Sequence, residues 1–205
     1  MKEIPSRYLN PILDVASNIS VKLSPIFYQY GLTPNNITTI SLVFGLLAVY
    51  ALTRQSASGV FWFGVWYLIG FVFDCMDGYY ARRYRMTSKF GDWYDHLKDT
   101  LLYIAICYVL VRQYGLLRSP GSIIVIIVLA ILQYVYNGCL ATYRNNQKEL
   151  TGFNSMTVAR RMCGGRGRPE ILGHRLSMLR WVDTSTCLVV VWLVAIYLFY
   201  LKQNR

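Results

Sequence analysis

Four aspartates at short helical spacings mark the part of this chain where chemistry is expected. Asp74 and Asp77 are three residues apart, and Asp95 and Asp99 are four residues apart. Spacings of three and four place both side chains of a pair on one face of an α-helix. Two adjacent antiparallel helices, joined by the short segment between the pairs, would therefore aim four carboxylates at one point.

Carboxylates that converge in this way need a cation, because an ionised carboxylate at membrane depth is costly unless it is paired or faces water. Carboxylate oxygens suit Mg²⁺ or Mn²⁺, whereas no cysteine or histidine pair stands nearby to favour zinc. The spacing therefore predicts a metal site for two such divalent ions, with Asp74, Asp77, Asp95 and Asp99 as ligands.

The residues between the two pairs favour a phosphate group as the partner of the metal. Gly78 and Gly91 have no side chain, and Ala81 is nearly as small, so a substrate can approach the backbone closely. Arg82 can bind a diphosphate through the planar fork of its guanidinium donors. The alternative is an ordinary surface network of ion pairs, in which Arg82, Arg83 and Lys98 balance the aspartates. Such a network would need neither the glycines nor the paired spacing, so the pattern favours a phosphate site.

Two other functions use similar groups. Intramembrane prenyltransferases bind a diphosphate through aspartate motifs and Mg²⁺, but they need two separated motifs, whereas this chain has one compact cluster. A divalent-cation transporter would need acidic residues towards both sides of the bilayer. Asp183 is the one other acid within the apolar runs, so the acidic ligands that a path for ions across the bilayer would need are missing. We expect Asp183 to cap or pack the last helix.

The elements that position the aspartates are predicted to be membrane helices. The chain is 55% hydrophobic and 15% charged, against about 25% charged residues in a soluble protein. Five apolar runs approach the ~20 residues that span a bilayer, at 37–54, 58–77, 94–112, 121–142 and 181–201. The expected fold is an all-α polytopic transmembrane helix bundle, with residues 1–205 as one domain.

The N-terminal segment, residues 1–33, differs from the apolar runs. Ile12, Val15, Ala16, Ile19 and Leu23 recur at helical spacing opposite polar residues, which is typical of an amphipathic helix in the membrane interface or of one packed on the bundle. The sequence GLTPNN follows at 31–36, where Pro34 ends this segment and Asn35 or Asn36 is expected to cap the next helix.

Basic residues predict the orientation of the bundle. Lysine and arginine number 21 against 10 acids, and they concentrate in loops, which indicates membrane topology rather than nucleic-acid binding. The N-terminus and residues 78–93 are expected on the cytoplasmic side. The Gly- and Arg-rich segment 163–175 is interpreted as a linker rather than a phosphate-binding loop.

The five cysteines show no metal-binding spacing. Cys75, Cys107, Cys139, Cys163 and Cys187 include no CxxC pair, and three of them lie in apolar runs. We therefore expect small apolar fillers rather than a disulfide framework or a zinc site.

The aspartate segment resembles the signature of the CDP-alcohol phosphotransferases. The matching pattern is Asp74-x-x-Asp77-Gly78-x-x-Ala81-Arg82, then eight residues, then Gly91-x-x-x-Asp95-x-x-x-Asp99. The stretch LTPNNIT at 32–38, which enters the first span, extends the resemblance. Members of the family usually have six spans, and a sixth helix here would have to lie within 150–180.

The resemblance implies a reaction in which an acceptor alcohol displaces CMP from a CDP-linked alcohol to form a phosphodiester. It implies that Asp74, Asp77 and Asp95 hold two Mg²⁺ or Mn²⁺ ions, and that Asp99 is both a ligand and the general base. The resemblance places the CDP group against residues of both helices and of the 35–38 turn: Gly78, Ala81, Arg82, Gly91, Ser88, Asn35 and Thr38.

The resemblance leaves two classes of substrate open. DCMDG at 74–78, ARR at 81–83 and the pair Asp95-His96 resemble the choline and ethanolamine phosphotransferases, in which His96 would assist Asp99, orient a phosphate, or lie outside the reacting groups. The short chain is nearer to enzymes that combine CDP-diacylglycerol with inositol, glycerol phosphate or serine.

In those enzymes basic residues beyond the fourth span bind a phosphorylated acceptor. Arg144, Lys148, Arg160 and Arg161 are candidates, although we favour a topological role for them. The expected partners are a CDP-alcohol, an acceptor alcohol or lipid, and the bilayer itself. The resemblance also suggests a homodimer. The expected membrane is that of the endoplasmic reticulum or a bacterial inner membrane, and the sequence does not distinguish the two.

Overall fold

The computed structural model of the chain describes residues 5–146, 163 and 169–204. Within these ranges the helices, in chain order, are α1 (Pro11–Gln29), α2 (Pro34–Thr53), α3 (Ala57–Arg83), α4 (Lys89–Tyr114), α5 (Pro120–Asn146), α6 (Pro169–Leu179) and α7 (Thr184–Gln203). Short 3₁₀ turns stand at Ser6–Tyr8, Leu116–Arg118 and Arg180–Val182. The described residues contain no strand, so the predicted all-α helix bundle is confirmed.

Four stretches are long and apolar enough to cross a membrane: Pro34–Thr53, Ala57–Arg83, Pro120–Tyr143 and Glu170–Gln203. Helix α4 coincides with the predicted span 94–112 and has 26 residues, but it is not among the four. Its first half carries Lys89, Asp92, Asp95, Lys98 and Asp99, which lowers its hydropathy. Of the five spans predicted from the sequence, four therefore meet the criteria of length and composition for a membrane-spanning helix.

The segment proposed for a sixth helix contains α6, which is only 11 residues long. At 1.5 Å per residue α6 extends about 16 Å, roughly half of the ~30 Å hydrocarbon layer. It leads through the 3₁₀ turn at Arg180–Val182 into α7. The remainder of the predicted linker, residues 164–168, lies outside the described residues.

Helix α1 packs on the bundle. Asn10 caps its start by accepting a 2.9 Å hydrogen bond from the Ile12 backbone N–H. The buried face is formed by small residues, among them Ala16, which contacts the cluster around Phe71 of α3. Val15 points outward and is 57% exposed. Of the two predicted arrangements, the structure thus matches a helix packed on the bundle, and part of the apolar stripe of α1 is exposed on its outer side.

Small residues bring α2 close to both α3 and α4. A Cβ atom added to Gly45 would lie 2.4 Å from Leu102 Cδ1, which shows how closely α2 and α4 approach. On the neighbouring face, Ser41 Oγ donates a 3.0 Å hydrogen bond to the Gly70 carbonyl oxygen of α3. Small residues allow such close contact between helices in membranes. Helix α2 therefore lies against the two helices that carry the aspartates.

The start of α2 is capped by a residue other than the predicted asparagines. Thr33 is the N-cap, and Thr33 and Asn36 form a reciprocal capping box, with Thr33 N donating to Asn36 Oδ1 at 2.8 Å. Pro34 occupies the first helical position, where its missing N–H has no helical partner to lose.

The interpretation of all five cysteines as apolar fillers was wrong for two of them. Cys139 of α5 and Cys163 form a disulfide with a Cα–Cα distance of 5.1 Å. The sequence offers no spacing signal for this pair, because the two residues are 24 positions apart and meet only through the tertiary fold. Cys75, Cys107 and Cys187 take no part in a disulfide among the described residues.

Asp183 caps the last helix, as predicted. It is fully buried, and its Oδ1 accepts a 3.0 Å hydrogen bond from the Thr186 backbone N–H and a 2.7 Å bond from Ser185 Oγ. A buried carboxylate with these donors is satisfied, and it also interacts favourably with the helix N-terminus. Asp183 therefore has a structural role at the start of α7.

Candidate metal and nucleotide site

Three of the four predicted ligands converge. Asp74 projects from the last third of α3, and Asp95 and Asp99 project from the first turns of α4. One carboxylate oxygen of each lies within 4.8 Å of the corresponding oxygens of the other two. Side chains of α3 and α4, two helices that both pack against α2, thus bring Asp74 together with Asp95 and Asp99, as the spacing predicted for these three.

Lys98 neutralises part of this cluster. Its ammonium nitrogen is 2.9 Å from Asp95 Oδ1 and 3.1 Å from Asp99 Oδ1, and it also forms an ion pair with Asp74. The residue is only 2% exposed. The sequence presents Lys98 as one of several basic residues able to balance the acids; its central position depends on how the helices pack.

Asp77 has a different environment from the other three. It is 6% exposed, and its Oδ2 accepts a 2.6 Å hydrogen bond from Thr38 Oγ1 of α2. Thr38 entered the prediction as a nucleotide contact. In the structure it connects α2 to the aspartate motif and satisfies one oxygen of Asp77.

The donor set fits a hard divalent cation. Asp74, Asp95 and Asp99 supply carboxylate oxygens close enough to share one ion, and Asp77 lies one helical turn beyond Asp74. The ammonium of Lys98 already occupies the space among three of these groups, which shows that a cation is accommodated there. The three aspartates could therefore hold a metal ion.

The predicted nucleotide-binding residues form two groups beside the cluster. At the start of α4, Ser88 Oγ accepts a 3.0 Å hydrogen bond from the Gly91 backbone N–H. A Cβ atom at Gly91 would lie 3.1 Å from Asn35 Oδ1, so the starts of α2 and α4 are adjacent. On α3, a Cβ atom at Gly78 would lie 3.1 Å from a guanidinium nitrogen of Arg82.

Ala81 stands on the same helix and is half-buried. The structure thus brings Asn35, Ser88 and Gly91 together at one place and Gly78 and Arg82 at another, on helices that also carry the aspartates.

His96 lies on the exposed side of α4. Its Nδ1 is 2.9 Å from the Asp92 carbonyl oxygen, one helical turn earlier. The imidazole therefore has a backbone partner on its own helix. The basic candidates Arg144, Lys148, Arg160 and Arg161 have side chains outside the described residues.

A cavity of about 480 Å³ opens beside the cluster. Asp74 and Asp99 line it together with apolar residues of α2, α3, α4, α5 and α7. The further polar residues that line it include Tyr67, Gln133, Asn137 and Thr184. The sequence alone does not point to these four residues, because they are scattered over three apolar helices. Their one visible signal is an isolated hydrogen-bonding side chain within an apolar run.

Comparisons with known proteins agree with this arrangement. The sequence profile of the CDP-alcohol phosphatidyltransferase family matches residues 31–203. The chain is 25% identical over 177 residues to an archaetidylinositol phosphate synthase of Pyrococcus horikoshii, covering 85% of this chain and 86% of that protein. No solved structure matches the chain. Because the profile covers nearly all of the described bundle, including every aspartate of the motif, the chain belongs to the CDP-alcohol phosphatidyltransferase family.

Proposed function

We propose that this protein is an integral-membrane enzyme of phospholipid synthesis that transfers a substituted phosphate from a CDP-linked alcohol to an acceptor hydroxyl and releases CMP. The main support is the convergence of Asp74, Asp95 and Asp99 within 4.8 Å at the edge of a cavity of about 480 Å³. The cluster would bind the nucleotide diphosphate through metal, and the cavity would hold the acceptor next to it.

Asp74, Asp77, Asp95 and Asp99 would hold two Mg²⁺ or Mn²⁺ ions. When bound, such ions would offset the charge of the diphosphate and stabilise the departing CMP. Arg82 would bind phosphate oxygens through its guanidinium donors, beside the space that Gly78 leaves open. Asn35, Ser88 and Gly91, adjacent at the starts of α2 and α4, would contact the nucleotide.

Asp99 is suited to be the general base. Its side chain is 57% exposed, against 28% for Asp74 and 32% for Asp95, and it lines the cavity. The carboxylate would take the proton of the acceptor hydroxyl as the oxygen attacks phosphorus. The bond from that phosphorus to the CMP oxygen then breaks, and CMP leaves with the electron pair.

Three observations bear on the substrates. The motif details DCMDG, ARR and Asp95-His96 resemble the choline and ethanolamine phosphotransferases. The Pyrococcus horikoshii relative, by its name, makes an inositol phospholipid, and its similarity spans most of both chains. Tyr67, Gln133, Asn137 and Thr184 offer several hydrogen-bonding groups, which a polyol acceptor could use better than the single hydroxyl of diacylglycerol. We therefore favour a CDP-lipid donor and a polyol-type acceptor.

A substrate matrix tests this function. Purified protein with Mg²⁺ or Mn²⁺ receives CDP-choline, CDP-ethanolamine or CDP-diacylglycerol, each with diacylglycerol, inositol, inositol phosphate, glycerol phosphate or serine. Release of labelled CMP should require both a donor and an acceptor, and it should stop in EDTA. CMP release from CDP-diacylglycerol with an inositol acceptor is the expected outcome. Folded protein that released no CMP with any pair would contradict the proposal.

A further inference from the structure

Lys98 has an unusual position for a cation beside a metal-binding motif. An ammonium group has three N–H donors; that of Lys98 donates hydrogen bonds to Asp74 and Asp95 and lies 3.1 Å from Asp99 Oδ1. The lysine side chain is 1% accessible, so water contributes little to its solvation. The ammonium is therefore held by the same three carboxylates that make up the candidate metal cluster.

Simultaneous binding of this ammonium and a divalent ion to the same oxygens is unfavourable. The three oxygens lie within 4.8 Å of one another, so an ion bound among them would be only a few ångströms from the nitrogen. Cations at that separation repel strongly where burial reduces screening. In addition, each carboxylate oxygen that coordinates the metal ion no longer accepts from, or pairs with, the ammonium of Lys98.

Without any cation the cluster would be unstable. The carboxylates of Asp74, Asp95 and Asp99, with side chains 28%, 32% and 57% exposed, would repel one another and would lack a compensating charge. Lys98 supplies that charge from the same helix as Asp95 and Asp99, so it is in place as soon as α4 packs against α3. This explains why a lysine is tolerated at a nearly inaccessible position.

We propose that Lys98 is the internal counter-ion of the metal-free site, and that a divalent ion displaces its ammonium from Asp74, Asp95 and Asp99. The identity of the competing ion rests on the proposed function, whereas the counter-ion role in the metal-free protein does not. Lys98 stabilises the bundle before the metal binds, and it weakens metal binding because the ion must compete for its ligands.

Replacement of Lys98 by Met tests both parts, because Met keeps the length of the side chain and removes its charge. In EDTA, the Tm of purified Lys98→Met should be lower than that of the wild type by roughly 10 °C, as expected for breaking a buried ion pair. In a Mn²⁺ titration followed by calorimetry, the variant should bind at least about tenfold more tightly, since the competing charge is gone.

Lys89→Met is the matched control, because Lys89 is an exposed lysine of the same helix; its Tm and Mn²⁺ affinity should equal those of the wild type. The double variant Lys98→Met/Asp95→Asn should recover part of the lost Tm in EDTA, since one uncompensated charge is removed. If Lys98→Met fails to fold in EDTA, folding of the double variant in EDTA would support the counter-ion role. If the double variant also failed to fold, Lys98 would be needed for packing and the counter-ion role would be overturned.

An unchanged Tm of Lys98→Met in EDTA would overturn the counter-ion role, and an unchanged Mn²⁺ affinity would overturn the ion exchange. Absence of Mn²⁺ binding in both wild type and Lys98→Met would overturn the ion exchange together with the metal-dependent function. If the wild type releases CMP and binds Mn²⁺, and Lys98→Met binds Mn²⁺ with the same affinity, the ion exchange would be overturned while the proposed function would stand.

Discussion

Thr38 Oγ1 donates a 2.6 Å hydrogen bond to Asp77 Oδ2 and thereby joins α2 to the aspartate motif of α3. Both residues are buried, with exposed fractions of 3% and 6%. The hydroxyl can also reach the Pro34 carbonyl oxygen at 3.1 Å, so Thr38 connects the first turn of α2 to Asp77. The carboxylate keeps one orientation as long as this donor is present.

Replacement of Thr38 by Val should remove this donor with little change of shape. The buried Asp77 carboxylate would then lack its partner, which costs about 1.5–3 kcal/mol for a hydrogen bond to a charged group. We expect a lower Tm in EDTA, and weaker Mn²⁺ binding because Asp77 loses its orientation. Thr39→Val is the control, since Thr39 is exposed on the same helix. Equal effects of the two substitutions would contradict the special role of Thr38.

Asp99→Asn should reduce CMP release by at least about 100-fold, because an amide cannot take a proton from the acceptor. The Tm should remain close to that of the wild type, since the side chain is more than half exposed. Initial rates and thermal unfolding of the same preparation measure both quantities. Asp92→Asn, at an acid two turns earlier in α4, should retain its turnover. Normal turnover of Asp99→Asn would show that another group is the base.

Close packing at Gly64 makes a prediction about stability far from the aspartates. A Cβ atom there would lie 2.2 Å from the ring of Trp192, whose Nε1 donates a 2.9 Å hydrogen bond to the Val60 carbonyl oxygen. Gly64→Ala should therefore push α7 away from α3 and destabilise the bundle by about 1–3 kcal/mol. Gly121→Ala is the control, because nothing lies within 4 Å of a Cβ atom there. Thermal unfolding of the two variants compares them directly; an undiminished Tm for Gly64→Ala would refute the tight contact.

The disulfide between Cys139 and Cys163 closes a loop of 24 residues. A cross-link of this length stabilises a fold by about 3 kcal/mol through the entropy of the unfolded chain. Cys163→Ser should lower the Tm, and a reducing agent should lower that of the wild type similarly. Cys107→Ser, at a free cysteine, should change neither its Tm nor its response to reductant. Non-reducing peptide mapping that recovered Cys139 and Cys163 as free thiols would contradict the bond.

The sequence alone was sufficient for the long helices and for the chemical motif, but not for α6, which occupies residues 169–175 of the predicted linker. The predicted spans 37–54, 58–77, 121–142 and 181–201 correspond to α2, α3, α5 and α7. Helix-forming periodicity and caps act over a few residues, so they can be read without knowledge of the fold. The spacing of Asp74, Asp95 and Asp99 likewise required only that two adjacent helices be antiparallel.

The tertiary structure decided which residues surround those aspartates. The Thr38–Asp77 bond crosses from α2 to α3, and the ion pairs of Lys98 depend on the distance between α3 and α4. The disulfide between Cys139 and Cys163 and the cavity residues Gln133 and Asn137 have no sequence pattern either. Contacts between helices depend on their crossing angles and on small residues such as Gly45, and these become known only when all the helices are packed.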